Sequence, residues 1–374
     1  MTLSILAPTR YPWTFNGPRR SRHLVERRRF LPLNYVSAWL EGVTVLNPVP
    51  PRRFDLVHAF NRIPLGARPF VIGFESHLPR VINRERSRVF AAQTAMLASE
   101  RCRAIVPISR SAELWFRSVH AEGPHWPALE RKLRLRYPNL PIPPEPDAVS
   151  WDGRGPIRLV FVGAHFARKG GCVAVTMAQE ALRRGVALEV TVVSSLEMGG
   201  GIWTDPVRPS FFDPYRALLE LPNVTHVPAL PNSAVLSLMR TAHFCVLPTF
   251  GDTFGYSAAE AMTVHTPVLA TRQGALPEFI RDGESGILLD LETTRYGAWS
   301  GSDRADRSQP GFEALFRAEV ERLAAEGLER VLDVMADPPR YARMRAAARE
   351  DAQARFSAEE AARYWDDLYE TVLH

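Results

Sequence analysis

Short runs of Val, Ile, Leu and Phe alternate with helix-like segments along almost the whole chain, and that alternation excludes most architectures. LSILAP (3–8), FDLVHAF (54–60), RPFVIGF (68–74) and CRAIVPIS (102–109) are bounded by Pro, Gly or Ser and read as strands, with VFAAQTAMLASE (89–100) as a helix between the last two. Nearly continuous apolar strands separated by helices form a parallel sheet covered on both faces. A second series follows a stretch dominated by Pro and Gly, YPNLPIPPEPDAVSWDGRGP (137–156), which reads as a linker. Its strands are IRLVFVG (157–163), ALEVTVVS (187–194), VTHVPAL (224–230), FCVLPTF (244–250), TPVLAT (266–271) and GILLD (286–290), and its helices are 171–184, 212–220, 232–241 and one from about 256. The polar segment 292–310 reads as a mobile loop. The tail is helical over 312–335, 338–355 and 357–373. Two doubly wound α/β domains are therefore expected, 1–145 and 146–356, each with a crevice at the carboxyl ends of its strands.

A chain of 374 residues is long for one core, which agrees with two domains. No apolar run approaches the roughly 20 residues that span a bilayer. The N-terminus has no basic segment before its first apolar run, so it reads as a strand and not as a secretory leader. Cys102, Cys172 and Cys245 lie far apart and make no metal spacing; they read as buried small hydrophobes in a reducing, cytoplasmic setting. Charge is divided. Residues 1–140 carry 23 Arg and Lys against 9 Asp and Glu, whereas the remainder carries 23 against 32. A basic first half suits an anionic partner, such as an acidic glycan or the inner face of a membrane. The densely basic PRRSRHLVERRRFL (18–31) reads as a helix on that face, and no aromatic RNA-binding motif or zinc spacing points to nucleic acid.

Two strand-to-helix turns of the second series carry the chemistry. RLVFVG ends at Gly163 and runs through AHFARKGG into a helix, so backbone N–H groups, a helix N-terminus, Arg168 and Lys169 converge where a phosphate can sit. FCVLPTF is followed by GDTFG and the helical YSAAEAM, which places Asp252 on the turn and Glu260 on the first helical turns. The N–H groups of residues 254–257 form a second anion-friendly nest. A carboxylate at 260 can accept from vicinal ribose hydroxyls, and one at 252 from a sugar hydroxyl; alternatively Glu260 complements the helix dipole and Asp252 forms the turn.

VLPTFGDTFGYSAAEAMTVHTPVLAT, GALPEFIRDGESGILLD and FVGAHFARKGG together resemble the donor domain of the retaining glycosyltransferases of family four, glycosyl transferases group 1, over residues 157–290. The resemblance implies the GT-B fold, two Rossmann-like domains facing a central cleft, with the C-terminal helix 357–374, SAEEAARYWDDLYETVLH, crossing back to complete the first. It implies a hexose moved with retention from a UDP- or GDP-linked donor to a glycan or lipid-linked acceptor in cell-surface polysaccharide or glycoconjugate synthesis, by a peripheral membrane enzyme. On it Lys169 contacts the diphosphate with Arg168 beside it, and Asp252 the transferred sugar. Glu260 holds the ribose, with Gly163, Phe254, Gly255, Tyr256 and Ser257 along the donor, and Val227–Leu230 edge the base. No Asp-x-Asp motif is present to hold a divalent ion, so neither metal nor cofactor is expected.

The chain departs from that pattern in three places. The first acid is Asp252 where the family usually has Glu, and Ala164 stands where it often has Arg. The glycine-rich first loop is replaced by PTRYPWTFNGPRR, which puts Asn16, Gly17 and Arg19 on the acceptor side. In VIGFESHLPR either Glu75 or His77 occupies the place from which the family faces the donor sugar, the register favouring Glu75; His58 reads as a core histidine. These departures leave a second reading, a non-catalytic GT-B protein that binds sugar nucleotides. An inverting transferase or an epimerase shares the fold.

Overall fold

The computed structural model describes residues 2–9, 13–46, 54–66, 68–144 and 151–373. The chain divides into two compact units, Met1–Pro141 with Arg355–His374, and Ile142–Ala354. Residues 10–12 of the first loop and 145–150 of the linker lie outside the described residues.

In the first unit five strands lie parallel in the order Leu24–Arg28, Ser4–Pro8, Leu56–Phe60, Phe70–Phe74, Cys102–Pro107. Leu56–Phe60 and Phe70–Phe74 are buried at every residue, as central strands covered on both faces must be. One face packs on the last helix, Ala358–Leu373, whose Ala361, Trp365, Leu368 and Tyr369 meet Leu3, Ile5, Leu56, Val71 and Val106. His58 is buried there, its Nδ1 2.6 Å from the Tyr369 hydroxyl, and burial pushes its pKa down to about 3. It is the core histidine its position implied.

The basic segment 18–31 is not a helix. Leu24–Arg28 is an edge strand in register with Ser4–Pro8. The segment has no apolar stripe that a helix could bury, whereas an edge strand needs only one partner and can leave Leu24 and Arg27 in solvent. Part of its charge is met by the acidic last helix, through Arg22 with Asp367 at 2.8 Å and Glu370 at 2.9 Å.

The second unit holds six parallel strands in the order Val224–Val227, Leu188–Val193, Ile157–Val162, Phe244–Leu247, Val268–Thr271, Gly286–Leu289. The order reverses between Ile157–Val162 and Phe244–Leu247, so the turns that follow these two strands flank the switch point, where open α/β sheets bind ligands. The helices Gly171–Arg183 and Pro310–Met335 cover one face. Segment 292–310 is a turn-rich loop with many exposed residues, as expected, but it is anchored at its centre: Trp299, 2% exposed, packs 4.8 Å from Phe250 and against Phe312 and Phe316. One tryptophan at the centre of a polar stretch outweighs the composition around it. The three cysteines are free and buried, with Cys102 and Cys245 thiols pushed up to about 12 by burial. No helix among the described residues is long and apolar enough to cross a membrane.

Candidate functional site

The turn after Ile157–Val162 is built around the stem of Lys169. A Cβ at Gly163 would lie 2.7 Å from Lys169 Cδ, so glycine there is what lets the lysine fold back along the strand end. Gly170 caps the following helix in the left-handed region (φ +88°), and a Cβ on it would lie 2.3 Å from the Pro248 carbonyl oxygen. The two turns of the switch point are thus in backbone contact. They are also bonded: the Phe250 N–H and the Thr249 hydroxyl both donate to the Arg168 carbonyl, at 2.8 and 2.9 Å.

Across this junction Lys169 Nζ lies 2.5 Å from Asp252 Oδ2, with side-chain exposures of 18% and 8%. Burial pushes the Asp252 carboxyl up, but the Lys169 and Arg168 charges and its hydrogen bonds outweigh that and hold it below its ordinary value. Asp252 is therefore a carboxylate, and with Lys169 it forms an ion pair largely withdrawn from water at the carboxyl end of a parallel sheet. Gln273 steadies the turn by accepting from the Asp252 N–H at 3.2 Å. Gly255 (φ +92°) caps the helix Tyr256–Thr263, and its absent Cβ would strike Leu276. Phe254 is fully buried on Phe279, so this residue offers the site its backbone and not its ring. The Ser257 hydroxyl, on the first turn of that helix, is buried without a hydrogen-bond partner among the described residues.

Glu260 sits on the second turn of the helix and accepts from Asn232 Nδ2 at 2.9 Å. Asn232 opens the helix Asn232–Thr241, which follows Val227 and Leu230, both half-buried. Arg168, expected beside Lys169, is placed differently. It is 7% exposed, and its Nη1 donates to the Gly251 carbonyl. Its guanidinium lies 4.9 Å from the ring centre of Trp203. This cation is tied to the Asp252 turn through the Gly251 carbonyl, and Lys169 is the one that meets the Asp252 carboxylate.

Sequence reasoning did not find the neighbours that complete this site. His165 Nδ1 lies 3.1 Å from Glu197 Oε2, and burial together with Arg168 lowers the His165 pKa. Trp203, 40% exposed, stands against Gly251 on a loop that opens with Gly199, Gly200 and Gly201. Asp205 on that loop is fully buried, and burial raises its carboxyl to about 6. The three successive glycines before a tryptophan were the available signal.

In the first unit the expected residues are held by neighbours of that unit. Glu75 accepts from Asn61 Nδ2 at 3.0 Å, its N–H donates to Asn61 Oδ1 at 3.1 Å, and Arg80 stands 3.8 Å away. His77 packs edge-on against Trp115 at 4.6 Å, and burial with Arg80 lowers its pKa. Asn16 is buried; Gly17 admits the Trp13 ring, which a Cβ would meet at 2.4 Å. Arg19 Nε donates to Asn139 Oδ1 at 2.8 Å, and Asn139 in turn donates to the Phe15 and Gly17 carbonyls. Among the described residues no group of three or more His, Cys, Asp or Glu is placed to hold a metal ion.

Residues 156–296, which contain both turns, match the family model described as Glycosyl transferases group 1. D-inositol 3-phosphate glycosyltransferase of Nocardia farcinica is 34% identical over 155 residues, 40% of this chain and 33% of the relative. That of Paenarthrobacter aurescens is 36% identical over 107 residues, 28% and 24% of the two chains. The chain thus spans about a third or less of the length of these curated relatives. Among solved structures, HepE of Anabaena in complex with UDP and glucose superposes with a TM-score of 0.62 at 12% identity, over 99% of this chain and 100% of that one. A glycosyltransferase from Rickettsia africae gives 0.61 at 11%, over 100% and 99%. At such identities the likeness carries the fold, which is GT-B: mixed α/β with parallel sheets. The resemblance to group 1 glycosyltransferases read from residues 157–290 is borne out by the family match over the same stretch.

Proposed function

We propose that this chain is a glycosyltransferase that holds a nucleotide-diphosphate sugar on its second unit and transfers the sugar, a hexose, to a glycan or lipid-linked acceptor. The observation that carries the reading is the half-withdrawn Lys169 ammonium at the switch point, held by Asp252 between two helix N-termini. Such a place favours a group with two or more negative charges over either water or a neutral ligand. A diphosphate entering there takes Lys169 from Asp252, which frees the carboxylate to accept from a sugar hydroxyl. Glu260, already positioned by Asn232, accepts from the ribose, with Val227 and Leu230 at the base.

Once freed, Asp252 is taken up by a sugar hydroxyl rather than placed as a nucleophile, which favours front-face transfer with retention. The anomeric C–O bond to the diphosphate breaks as the acceptor oxygen bonds to the same carbon. The acceptor's proton passes to the departing diphosphate oxygen. Lys169 and the helix N-termini stabilise the charge that develops there, without need of a metal ion. The acceptor falls to the first unit, whose charge surplus suits a lipid-linked acceptor at the inner membrane face. There Tyr35 and Val36, both 77% exposed, and Trp39 with Arg84 stacked 3.9 Å above its ring suit an interfacial contact.

Thermal-shift binding against UDP, GDP and their hexose conjugates, with and without magnesium, tests the donor site. Stabilisation without metal supports it, and none across the panel sinks it. Donor binding without turnover on any acceptor favours the non-catalytic reading. The anomer formed, read by NMR, decides retention.

A further inference from the structure

Trp203, a large apolar side chain left 40% exposed, stands against Gly251, the residue before Asp252. Its loop is built to hold it there. Gly199, at φ +104°, donates its N–H to Asp205 Oδ2 at 3.0 Å, and the Thr204 hydroxyl donates to Asp205 Oδ1 at 2.9 Å. Arg307 Nη1 binds the Ile202 carbonyl and, at 2.9 Å, the Asp205 carbonyl. The Asp303 N–H donates to the Trp203 carbonyl at 3.0 Å. Both residues flanking the tryptophan are fixed: Thr204 is fully buried and Ile202 is 8% exposed. A loop tied at this many points does not leave an indole outside by default.

The ring itself is set between two features of the site. One face is stacked on the Arg168 guanidinium. Its Nε1 edge lies against Gly251, where a Cβ would come within 3.2 Å of Nε1 and 3.6 Å of Cε2. Glycine at 251 is therefore what lets the indole reach the residue before Asp252. With one face covered, the 40% exposure belongs to the other face and the outer edge. Nε1 finds no acceptor among the described residues, so a rigid π surface and a free N–H donor stand together beside the Asp252 turn. A phosphate can accept from the N–H but makes no use of the π surface. A pyranose uses both, because its axial C–H groups form an apolar face and its hydroxyls rim that face.

We propose that Trp203 is a sugar-stacking platform, which packs its open face on the hexose of the bound donor while Asp252 accepts from a hydroxyl on the same ring. The assignment rests on the donor-site reading above and goes beyond it by naming the part of the ligand recognised. The platform contributes to affinity for the sugar and not for the nucleotide. It also compensates for the short reach of Asp252, since a ring held on one face needs only one carboxylate contact to fix its rotation.

Isothermal titration of wild type, Trp203→Ala and Trp203→Phe in the full chain, each with UDP, UDP-glucose, GDP and GDP-mannose, tests this. Unchanged thermal midpoints of the free proteins show that the variants fold. The expected result is that Trp203→Ala weakens the matching nucleotide sugar about tenfold and its parent nucleotide less than twofold, with Trp203→Phe near wild type. Equal weakening of both ligands shows that the loop only scaffolds the turn, and no weakening of either shows that the ring is idle; each overturns the platform while leaving the donor site standing. If wild type binds none of the four, the donor-site reading fails, and the platform with it.

Discussion

The two units repeat one architectural idea and use its polar groups in opposite ways. Both hold a parallel sheet covered by helices, and both carry charged or titratable side chains on their strands or in the segments that follow them. In the first unit these groups are matched to one another: Glu75 with Asn61, Arg19 with Asn139, and His58 with Tyr369. In the second unit the strand ends are glycine turns in backbone contact, and the charges they carry form an ion pair at the switch point of the sheet. Matched groups stabilise and are chemically quiet. A pair held mainly by opposite charge, beside two helix N-termini, can be exchanged for a ligand of higher charge. The difference lies in what surrounds the polar residues more than in which residues they are.

Breaking the second unit's pair has the largest expected effect. Lys169→Ala removes the cation that meets the Asp252 carboxylate and should lower sugar transfer by about 100- to 1,000-fold, the scale of losing one charge-stabilising donor. Asp252→Asn should cost about as much, since the neutral amide neither orients Lys169 nor accepts as strongly from the sugar. Steady-state rates with donor hydrolysis as the readout, and circular dichroism to confirm the fold, check both. Turnover within threefold of wild type in Lys169→Ala would contradict the assignment of the site.

Next comes backbone. Gly170→Ala puts a Cβ 2.3 Å from the Pro248 carbonyl and forces a left-handed residue, whereas Gly66→Ala in the first unit is also left-handed (φ +133°) but meets nothing within 4 Å. Strain together with overpacking should destabilise Gly170→Ala by about 2–4 kcal/mol, and strain alone should cost Gly66→Ala about 1 kcal/mol. Denaturant midpoints measure the difference. Equal losses would mean that the two turns of the second unit are not locked together.

Acid should act on the matched groups of the first unit. His58 titrates at about 3 in the fold against 6.5 in an unfolded chain, because burial disfavours its charge. The unfolded state therefore takes up a proton that the folded state refuses. The associated stability is fully present above pH 6.5 and is lost as pH falls toward 3. Lowering the pH from about 7.5 to about 5 should remove about 2 kcal/mol. Hydrogen exchange of the strand Leu56–Phe60 across that range reads it, and His58→Phe should flatten the slope. In the second unit, burial also lowers His243, to about 4, so it should show a slope of the same sign that His58→Phe leaves alone.

How much of this was legible in the sequence follows the same divide. The strands were legible because central parallel strands are apolar without a break, and the turns of the second unit because glycine next to Lys or Asp is a local pattern. Leu24–Arg28 was not: an edge strand is specified by its neighbour, and Leu24 and Val25 are too short an apolar run to stand out from the charge around them. Nor was the anchoring of 292–310, where a single Trp299 outweighs its polar surroundings. The inward turn of Arg168 was hidden for a related reason. A basic residue beside Lys169 looks like a second phosphate contact until Gly251 and Trp203, 83 and 35 positions away, are seen to hold it.

The smallest expected effect is the sharpest test of the comparison. Glu75→Gln is the same change as Asp252→Asn, one oxygen for one amide, made in the other unit. The amide side chain keeps an oxygen for Asn61 Nδ2, the backbone bond to Asn61 Oδ1 is untouched, and the long contact to Arg80 at 3.8 Å loses its charge. A partly exposed pair at that distance is worth less than about 1 kcal/mol. If Glu75 is a strut, transfer should fall less than threefold and the thermal midpoint should hold. If transfer instead falls about 100-fold with the fold intact, the scale of losing a group that acts in the transition state, Glu75 faces the reacting sugar, as its register in VIGFESHLPR first implied. The first unit would then carry a catalytic carboxylate inside its matched network, and the contrast between a quiet unit and a reactive one would not hold.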